Sequence, residues 1–255
     1  MSEQILTQLD DGLLTVTFNR PEKKNAFTRE MYEGLVAALD RAAGDPAVRV
    51  ILFQGSGGSF TAGNDLMDFM QDPPKGEGSP VFRFLLGLVA CEKPIVAAVE
   101  GPAVGLGTTL LLHSDLVYAA DTARFHLPFV NLGLVPEGAS SYLLPRVVGA
   151  LRANELLLLG EPFPAARALE LGLVNQVVPA AELSALAKQK ALALSERPLG
   201  ALIEAKKLIK AGIRAPTLEA MKREGAVFVD RLTSAEAAEA FSAFFEKRKP
   251  NFKKL

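Results

Sequence analysis

Two glycine-containing segments, each placed after a predicted buried strand, have the residue types to stabilise a developing negative charge. Residues 59–66 follow the apolar run 48–54, and residues 101–109 follow the run Ile95–Val99. Ligands in open α/β sheets bind at such strand ends. Small residues there let the backbone approach a ligand, and a helix that starts next directs free N–H groups at negative charge. The two segments could therefore form a two-donor oxyanion hole, although plain tight turns have the same composition.

Residue types that commonly bind cofactors lack the spacing that such sites need. His113 and His126 are the two histidines, and no Cys/His cluster accompanies them, which argues against a zinc site. Gly105 and Gly107 are followed by Leu110 where a dinucleotide fingerprint has its third glycine, and no Walker phosphate loop occurs. We therefore expect no metal and no nucleotide cofactor, and we interpret both histidines as structural.

The composition is that of a globular protein whose partners are small molecules. Of the 255 residues, 49% are hydrophobic and 22% charged, and 28 basic against 29 acidic side chains leave a net charge of -1. This length can bury the core of one α/β domain, alone or with a smaller helical appendage. Without a basic excess we expect no nucleic-acid partner. Charged residues interrupt the longest apolar stretches, so we expect no membrane partner either.

Cysteine usage and the chain ends bear on the compartment. Cys91 is the single cysteine, so no internal disulfide can form, as expected in a reducing compartment. Residues 1–12 carry acids rather than a basic and then apolar run, so we expect no signal peptide. The terminal Lys253-Lys254-Leu255 only loosely resembles a peroxisomal address. We expect a cytoplasmic protein, or a peroxisomal one if its source is eukaryotic.

The elements that must position these segments alternate between strand and helix in the first part of the chain. Residues 13–19 alternate and follow an acidic turn, which predicts one arm of a β-hairpin. Thr28 can cap a helix that runs to about Ala43 and ends at Gly44. The almost continuously apolar runs predict parallel strands covered on both faces; they are residues 48–54, 95–99 and 116–119. This order indicates an α/β fold with crossover connections.

Helical spacing dominates beyond Pro145. The predicted helices cover residues 151–159, 165–171, 181–196, 199–211, 217–231 and 235–249, and residues 173–178 are the one predicted strand among them. We divide the chain into an α/β core of residues 1–195 and a helical region of residues 196–255. Its Ala/Leu-rich helices are expected to bury surface against a neighbouring subunit. Residues 72–80 are predicted to form a mobile surface loop.

Several of these segments together resemble the crotonase (enoyl-CoA hydratase/isomerase) superfamily. They are Asn19-Arg20-Pro21 with Asn25-Ala26, residues 60–66, residues 101–109 leading to 115–119, and residues 245–249. The resemblance runs nearly from end to end. It implies a spiral of ββα units, a homotrimer or dimer of trimers, and an acyl-CoA thioester substrate. It also implies that the thioester oxygen lies between two backbone N–H groups, which here belong to Asn64 and Leu106.

The two glutamates that hydratases of this family use are absent. By the resemblance, one would stand at the position of Thr109 and the other at the position of Phe129. Water addition needs a base to take its proton, so we do not expect hydratase activity.

A different carboxylate is present. Residues 128–142 resemble the peroxisomal-type Δ3,Δ2-enoyl-CoA isomerases, and the resemblance makes Glu137 the catalytic base. Moving a double bond from C3 to C2 needs one group that takes a proton at C2 and returns it at C4, and it needs no cofactor, coenzyme A being part of the substrate. Apolar neighbours are expected to raise the pKa of this carboxyl: Phe129, Leu132, Leu134 and Val135. The alternative is an acid in the first turn of a helix after Pro136.

The resemblance also implies the binding residues. Those expected to line the coenzyme A arm and acyl group are Lys24, Ala26, Thr61, Ala62, Gly63, Asp65, Leu66, Gly105, Phe129 and Leu134. Lys247 would reach a phosphate, from a neighbouring subunit or otherwise; alternatively, the basic C-terminus is a solvated helix end. The loop of residues 72–80 either gates the acyl channel or is an idle surface loop.

The lead hypothesis is therefore an isomerase of unsaturated acyl-CoA in fatty acid β-oxidation. One alternative keeps the fold and changes the reaction, to hydration, thioester hydrolysis or another enolate chemistry. A second alternative is a catalytically silent acyl-CoA-binding module. The residue segment 62–65 together with Glu137 favours an enzyme.

Overall fold

The computed structural model describes residues 3–74 and 76–255. Its strands are β1 (Ile5–Asp10), β2 (Leu13–Phe18), β3 (Val50–Gly55), β4 (Ile95–Val99), β5 (Pro102–Val104), β6 (Leu116–Ala120), β7 (Arg124–His126), β8 (Phe163–Pro164) and β9 (Gln176–Val178). The helices are α1 (Arg29–Gly44), α2 (Leu66–Gln71), α3 (Pro80–Ala90), α4 (Leu106–Thr109), α5 (Ser140–Val148), α6 (Ala150–Asn154), α7 (Ala165–Glu170), α8 (Ala180–Ser195), α9 (Leu199–Leu232) and α10 (Ala235–Phe245). Among these residues, no helix combines the length and the apolar character that crossing a bilayer requires.

The strands form two sheets. The larger has the order β1-β2-β3-β4-β6-β9, with an antiparallel β1/β2 hairpin and parallel pairing elsewhere, and the smaller has the order β5-β7-β8. Two successive passes of the chain contribute one strand to each sheet before a helix: β4 and β5 before α4, and β6 and β7 before α5. The predicted α/β fold, a crotonase-like spiral of ββα units with a helical C-terminal region, is confirmed, as is the early hairpin.

The central strands are buried on both faces, as their continuous apolar sequence predicts. In β3, Ile51 and Phe53 belong to the main hydrophobic core, which also contains buried residues of α1 and α3. The intervening Val50 and Leu52 belong to a second core, into which α8 inserts Ala187. Alternate side chains thus serve opposite faces, which is the reason for the uninterrupted apolar run.

Local capping fixes the first helix where the sequence predicts it. The Thr28 hydroxyl accepts a hydrogen bond from the Met31 N–H at 3.3 Å, the arrangement of an N-cap. The helix includes Gly44 as its last residue, and Asp45 follows as its C-cap. The predicted bounds are correct to within one residue.

The C-terminal part differs from the prediction in three places. Residues 199–211 and 217–231 belong to one continuous helix, α9, with Pro216 inside it. Proline removes the hydrogen bond to the carbonyl four residues earlier, but here that carbonyl belongs to the exposed Gly212, where water can replace the bond. The strand predicted at 173–178 covers only Gln176–Val178. The last helix ends at Phe245, so the predicted stretch to residue 249 is wrong for its final turn.

The long helix is also part of the main core. Met221 and Phe228 of α9 and Phe241 of α10 are buried in the same cluster as the sheet residues. The proposed division at residue 195 coincides with the end of α8 and stays a prediction.

Two glycines of α9 allow a matched test of how this helix packs. A Cβ at Gly212 would meet no atom within 4 Å, whereas a Cβ at Gly225 would lie 2.3 Å from the ring of Phe82 in α3. We expect Gly212→Ala to raise the free energy of unfolding by about 1 kcal/mol, because alanine is the better helix former. We expect Gly225→Ala to lower it, because the Phe82 ring would have to leave its packed position against α9. Chemical denaturation of both variants checks this, and equal stabilisation by both would contradict the described packing.

Candidate active site

The backbone at Asn64 and Leu106 presents two free donors. Asn64 follows Gly63, which has a left-handed φ of 84°. Leu106 begins α4 and follows Gly105, which has a φ of 54°. On either side of Asn64 the backbone is paired with Phe27, whose N–H donates to the Gly63 carbonyl at 2.7 Å and whose carbonyl accepts from the Asp65 N–H at 2.9 Å. Within the part of the chain that the structure describes, neither the Asn64 nor the Leu106 N–H donates a hydrogen bond.

The two glycine segments run side by side. The Thr61 N–H donates to the Pro102 carbonyl at 2.9 Å, and the Val104 N–H donates to the Thr61 carbonyl at 3.0 Å. A Cβ at Gly63 would lie 2.7 Å from the Val104 carbonyl oxygen, so only glycine allows this approach. The pairing brings both free donors to the wall of one cavity.

That cavity has a volume of about 620 Å³ and a mainly apolar lining. Ten predicted residues line it: Ala26, Ala62, Gly63, Asn64, Asp65, Leu66, Gly105, Leu106, Phe129 and Leu134. Aromatic residues of α9 and α10 complete the lining: Phe228, Phe241 and Phe244, which the sequence did not single out, and Phe245 from the segment 245–249. The cavity is large enough for a ligand the size of a cofactor arm.

Three predicted binding residues do not line the cavity. Thr61 is fully buried, with its hydroxyl donating to the Asn25 carbonyl at 2.7 Å and accepting from the Gly63 N–H at 3.0 Å. Lys24 is in a left-handed turn, and its carbonyl accepts from the Ala62 N–H, while the neighbouring Lys23 lines the cavity instead. Lys247 lies beyond the end of α10 with a φ of 54°.

Asp65 supports the first loop with both carboxylate oxygens. Oδ2 accepts from Arg20 Nη1 at 2.7 Å, and Oδ1 caps α2 by accepting from the Met67 and Asp68 N–H groups. The same Arg20 nitrogen donates to the Ala26 carbonyl at 3.0 Å. Asp65 thus ties together the chain segments on which the Asn64 donor depends.

Glu137 is buried beside this cavity, with 7% of its surface exposed. Its Oε1 accepts a hydrogen bond from the Thr109 hydroxyl at 2.8 Å. Burial raises the pKa of Glu137 to about 7; the Thr109 hydrogen bond lowers it, and the nearby Glu224 carboxylate raises it further. Glu137 precedes α5, which begins at Ser140, so the alternative of a first-turn helix acid is wrong.

A narrow pocket at Glu137 borders the large cavity. Asn64, Phe69 and Phe228 line both spaces, so Glu137 and Asn64 lie on the wall of the same narrow pocket. Glu137 is the one acidic side chain that lines the narrow pocket among the described residues.

The apolar surroundings of Glu137 differ from those predicted. Phe129, Leu132 and Leu134 line the large cavity rather than the narrow pocket. The pocket is instead closed by residues of α2, α3 and α9, chiefly Phe69, Phe82, Leu85, Met221 and Phe228. The sequence predicts helix for most residues of α9 but not for those of α2 and α3, and it does not show which helices meet over Glu137.

Tyr32 is a polar contributor that the sequence interpretation missed. It lies on the buried face of α1, and its hydroxyl donates to the side-chain oxygen of Asn64. Burial, followed by the charge of Glu137, raises the pKa of Tyr32 well above its usual value, so it stays a neutral donor. A tyrosine on an otherwise apolar helix face was the available signal.

Both histidines make structural hydrogen bonds. His113 Nε2 lies 2.8 Å from the Gly138 carbonyl, and His126 Nε2 lies 2.8 Å from the Gly160 carbonyl. Burial lowers the pKa of His113 to about 4, so the ring is neutral at pH 7. No group of three or more His, Cys, Asp or Glu side chains suited to a metal ion occurs within residues 3–74 and 76–255.

Thr109→Val should raise the pKa of Glu137 above about 7, because the hydrogen bond that it removes favours the charged carboxylate. Titration of the ¹³C-labelled carboxyl by NMR measures this, with the signal assigned by its loss in Glu137→Gln. An unchanged or lower pKa would contradict the described contact.

The burial of Glu137 also predicts how stability depends on pH. A carboxyl whose pKa rises on folding destabilises the fold progressively as the pH increases from about 4.5 to about 7. We therefore expect Glu137→Gln to raise the free energy of unfolding by about 3 kcal/mol at pH 8 and by little at pH 4. Denaturation at both pH values tests this, with the exposed Glu219→Gln as control. A variant no more stable than wild type at pH 8 would show that the carboxyl is not desolvated.

A family model and two curated proteins show which family the chain resembles. The family model described as "Enoyl-CoA hydratase/isomerase" matches residues 8–254. The chain is 38% identical to 1,2-epoxyphenylacetyl-CoA isomerase of Escherichia coli over 99% of both chains. It is 34% identical to human enoyl-CoA delta isomerase 2 over 96% of this chain, which spans 64% of the human protein.

Solved structures of enoyl-CoA hydratase/isomerases and related proteins have the same fold as this chain. OdaA of Pseudomonas aeruginosa has a TM-score of 0.93 at 45% identity, covering 95% of this chain and 99% of that one. An enoyl-CoA hydratase/isomerase from Pseudoalteromonas atlantica T6c also has a TM-score of 0.93, at 43% identity, covering 98% and 100%. The chain therefore belongs to the enoyl-CoA hydratase/isomerase family of the crotonase superfamily.

Proposed function

We propose that the protein is a Δ3,Δ2-enoyl-CoA isomerase, which converts 3-enoyl-CoA to 2-trans-enoyl-CoA in fatty acid β-oxidation. The observation that carries the proposal is Glu137, a single carboxyl with a pKa of about 7 in a narrow apolar pocket next to Asn64. Relatives with enoyl-CoA delta isomerase names from human, rat and mouse support it at 34–35% identity.

The proposed substrate arrangement follows the two cavities. The coenzyme A arm lies in the large cavity, along the segment with Ala62 and Gly63. The thioester oxygen accepts hydrogen bonds from the Asn64 and Leu106 N–H groups, which have no partner of their own in the described chain. Such donors stabilise the enolate oxygen as charge develops, and each contributes about 10²–10³ in rate.

Glu137 carries the proton in this mechanism. Its carboxylate takes a proton from C2, the electron pair shifts through the former C3–C4 double bond, and the carboxylic acid returns the proton to C4. A pKa near 7 suits a group that must be base and acid in turn at neutral pH. The reaction uses these groups and the substrate itself, so the proposal includes no metal or redox cofactor.

The side chains around Glu137 favour this reaction over hydration. Thr109 is fully buried and bonded to Glu137, and Phe129 lines the large cavity, so neither position offers a second carboxylate to activate water. Some relatives are named as probable hydratases, among them one from Rhodobacter capsulatus at 34% identity, so the assay must include hydration.

A third cavity extends the proposal to the acyl tail. It measures about 330 Å³ and shares Phe69, Pro74 and Val81 with the narrow pocket. Residues 72–74 and 78–80 line it, whereas Lys75 lies outside the described residues. Arg29, Asp68 and Asp72 also line this cavity, so we assign the tail to the side that it shares with the narrow pocket, which gives residues 72–74 and 78–80 a role at the acyl channel.

Assembly and location complete the proposal. Large apolar side chains are exposed near α6 and on α9, including Leu151 at 85%, Leu158, Leu208 and Ile209. They support burial against neighbouring subunits as a homotrimer or dimer of trimers. The single Cys91 supports a reducing compartment, the cytoplasm.

We expect Glu137→Gln to lower the rate of isomerisation by about 10²–10⁴-fold, because Glu137 is the one acidic side chain that lines the narrow pocket among the described residues. Binding of the coenzyme A ester should be unchanged, because glutamine keeps the shape of the side chain. The assay follows conjugated enoyl-CoA formed from 3-enoyl-CoA, with Glu219→Gln as the control.

Four outcomes would overturn the assignment. A Glu137→Gln variant that keeps most of its activity would show that the base lies elsewhere. A wild-type protein that hydrates 2-enoyl-CoA without isomerising 3-enoyl-CoA would be a hydratase. Release of free coenzyme A would indicate a thioesterase, and binding without turnover would indicate a silent module.

A further inference from the structure

A second buried carboxylate, Glu224, lies behind Glu137 and has no part in the reaction proposed above. It belongs to α9 and is 6% exposed. Its Oε2 accepts from the Ala139 N–H at 2.6 Å, and its Oε1 accepts from the Ser141 N–H at 2.8 Å. Both oxygens thus bind the backbone directly after Glu137, so Glu224 does not face the substrate space.

The turn that Glu224 binds has an unusual conformation. Gly138 and Ala139 are both left-handed, with φ angles of 68° and 59°, and an alanine adopts this region rarely. Neutral groups hold the turn on its other sides: His113 contacts the Gly138 carbonyl, and the Ser140 hydroxyl donates to the Glu137 carbonyl at 2.7 Å. A strained turn of this kind persists only where its surroundings fix it.

We propose that Glu224 is a positioning residue for Glu137: it clamps the turn of residues 137–141 from α9 and places a negative charge behind the base. This inference rests on the proposed function, since it assigns Glu137 as the base. It also gives the C-terminal helical layer a part in the active site, because the clamp spans 85 residues of sequence.

The effect of the Glu224 charge on the pKa of Glu137 has a sign that can be measured. Burial and then Glu224 raise the pKa of Glu137, while Thr109 lowers it. Burial raises the pKa of Glu224 itself, whereas its hydrogen bonds to Ser141 and Ala139 and the charge of Arg223 lower it; both of its oxygens accept N–H bonds, as those of an ionised carboxylate do. Among the described residues, the other ionisable groups around the pair are Tyr32 and His113, which are neutral at pH 7, and Arg223 beside Glu224 on α9. Removing the Glu224 charge should therefore lower the pKa of Glu137.

Two substitutions separate position from charge. Glu224→Gln keeps the length of the side chain but removes the charge and faces one backbone N–H with an amide donor. Glu224→Asp keeps the charge but is one methylene too short to reach both N–H groups. We expect both variants to lower kcat by about 10²-fold through misplacement of the base. KM should change less than kcat, because the large cavity is not altered.

The pH profile distinguishes this role from a merely structural one, because a loss of structural support alone would not shift the acid limb of kcat/KM. The acid limb of kcat/KM should shift to lower pH in Glu224→Gln and stay near the wild-type position in Glu224→Asp. Glu219→Gln, an exposed change on the same helix, should match wild type in both kcat and pH profile. Ser141→Pro replaces this test if the Glu224 variants do not fold. It removes one N–H donor in the first turn of α5, leaves Glu224 intact and should lower kcat.

A kcat within about twofold of wild type in the folded variants, or an acid limb that does not move in Glu224→Gln, would overturn the proposal. An NMR titration of the Glu137 carboxyl separates this failure from failure of the proposed function. A wild-type protein without isomerase activity would refute the function, whereas an unchanged Glu137 pKa in Glu224→Gln would refute the clamp regardless of the reaction.

Discussion

The burial of one carboxyl group that has no cationic partner among the described residues is the constraint on which the rest of the site depends. Glu137 has a hydroxyl from Thr109 as its hydrogen-bond donor and another carboxylate, Glu224, behind it. Its anion is therefore costly, and its pKa lies at about 7. Such a group gains and loses a proton readily at neutral pH, and a paired carboxylate would not.

The fold meets this constraint by closing helices from distant parts of the chain over one point. Phe69, Phe82 and Phe228 come from α2, α3 and α9, and Gly225 allows α9 to approach the ring of Phe82. The parallel strands bring the two glycine segments together on the other side, where Asn64 and Leu106, whose N–H groups donate to no described group, line the large cavity. In the proposed reaction, the charge that Glu137 creates on the substrate is thus matched by backbone donors that carry no side-chain charge of their own.

Local sequence was sufficient for features that depend on neighbouring residues. The Thr28 cap, the continuous apolar β3 and the glycine segments were all predictable, because each follows from short-range spacing. The surroundings of Glu137 were not predictable, because they depend on which helices meet. Glu224 stands between Arg223 and Gly225 in a basic stretch that resembles a solvated helix face, and only the fold places it behind the 137–141 turn. The predicted break between residues 211 and 217 likewise does not occur, because the carbonyl that Pro216 leaves free belongs to the exposed Gly212.

The central claim is that one carboxyl transfers the proton from C2 to C4 in a pocket closed to water. Turnover of 3-enoyl-CoA deuterated at C2, in ordinary water, tests this most directly when the product is examined by mass spectrometry and NMR. A single buried Glu137 predicts that a substantial share of the deuterium removed from C2 appears at C4 of the product. Product that carries only solvent hydrogen at C4 would contradict the account, because it would require a base that exchanges freely with water or a second proton donor.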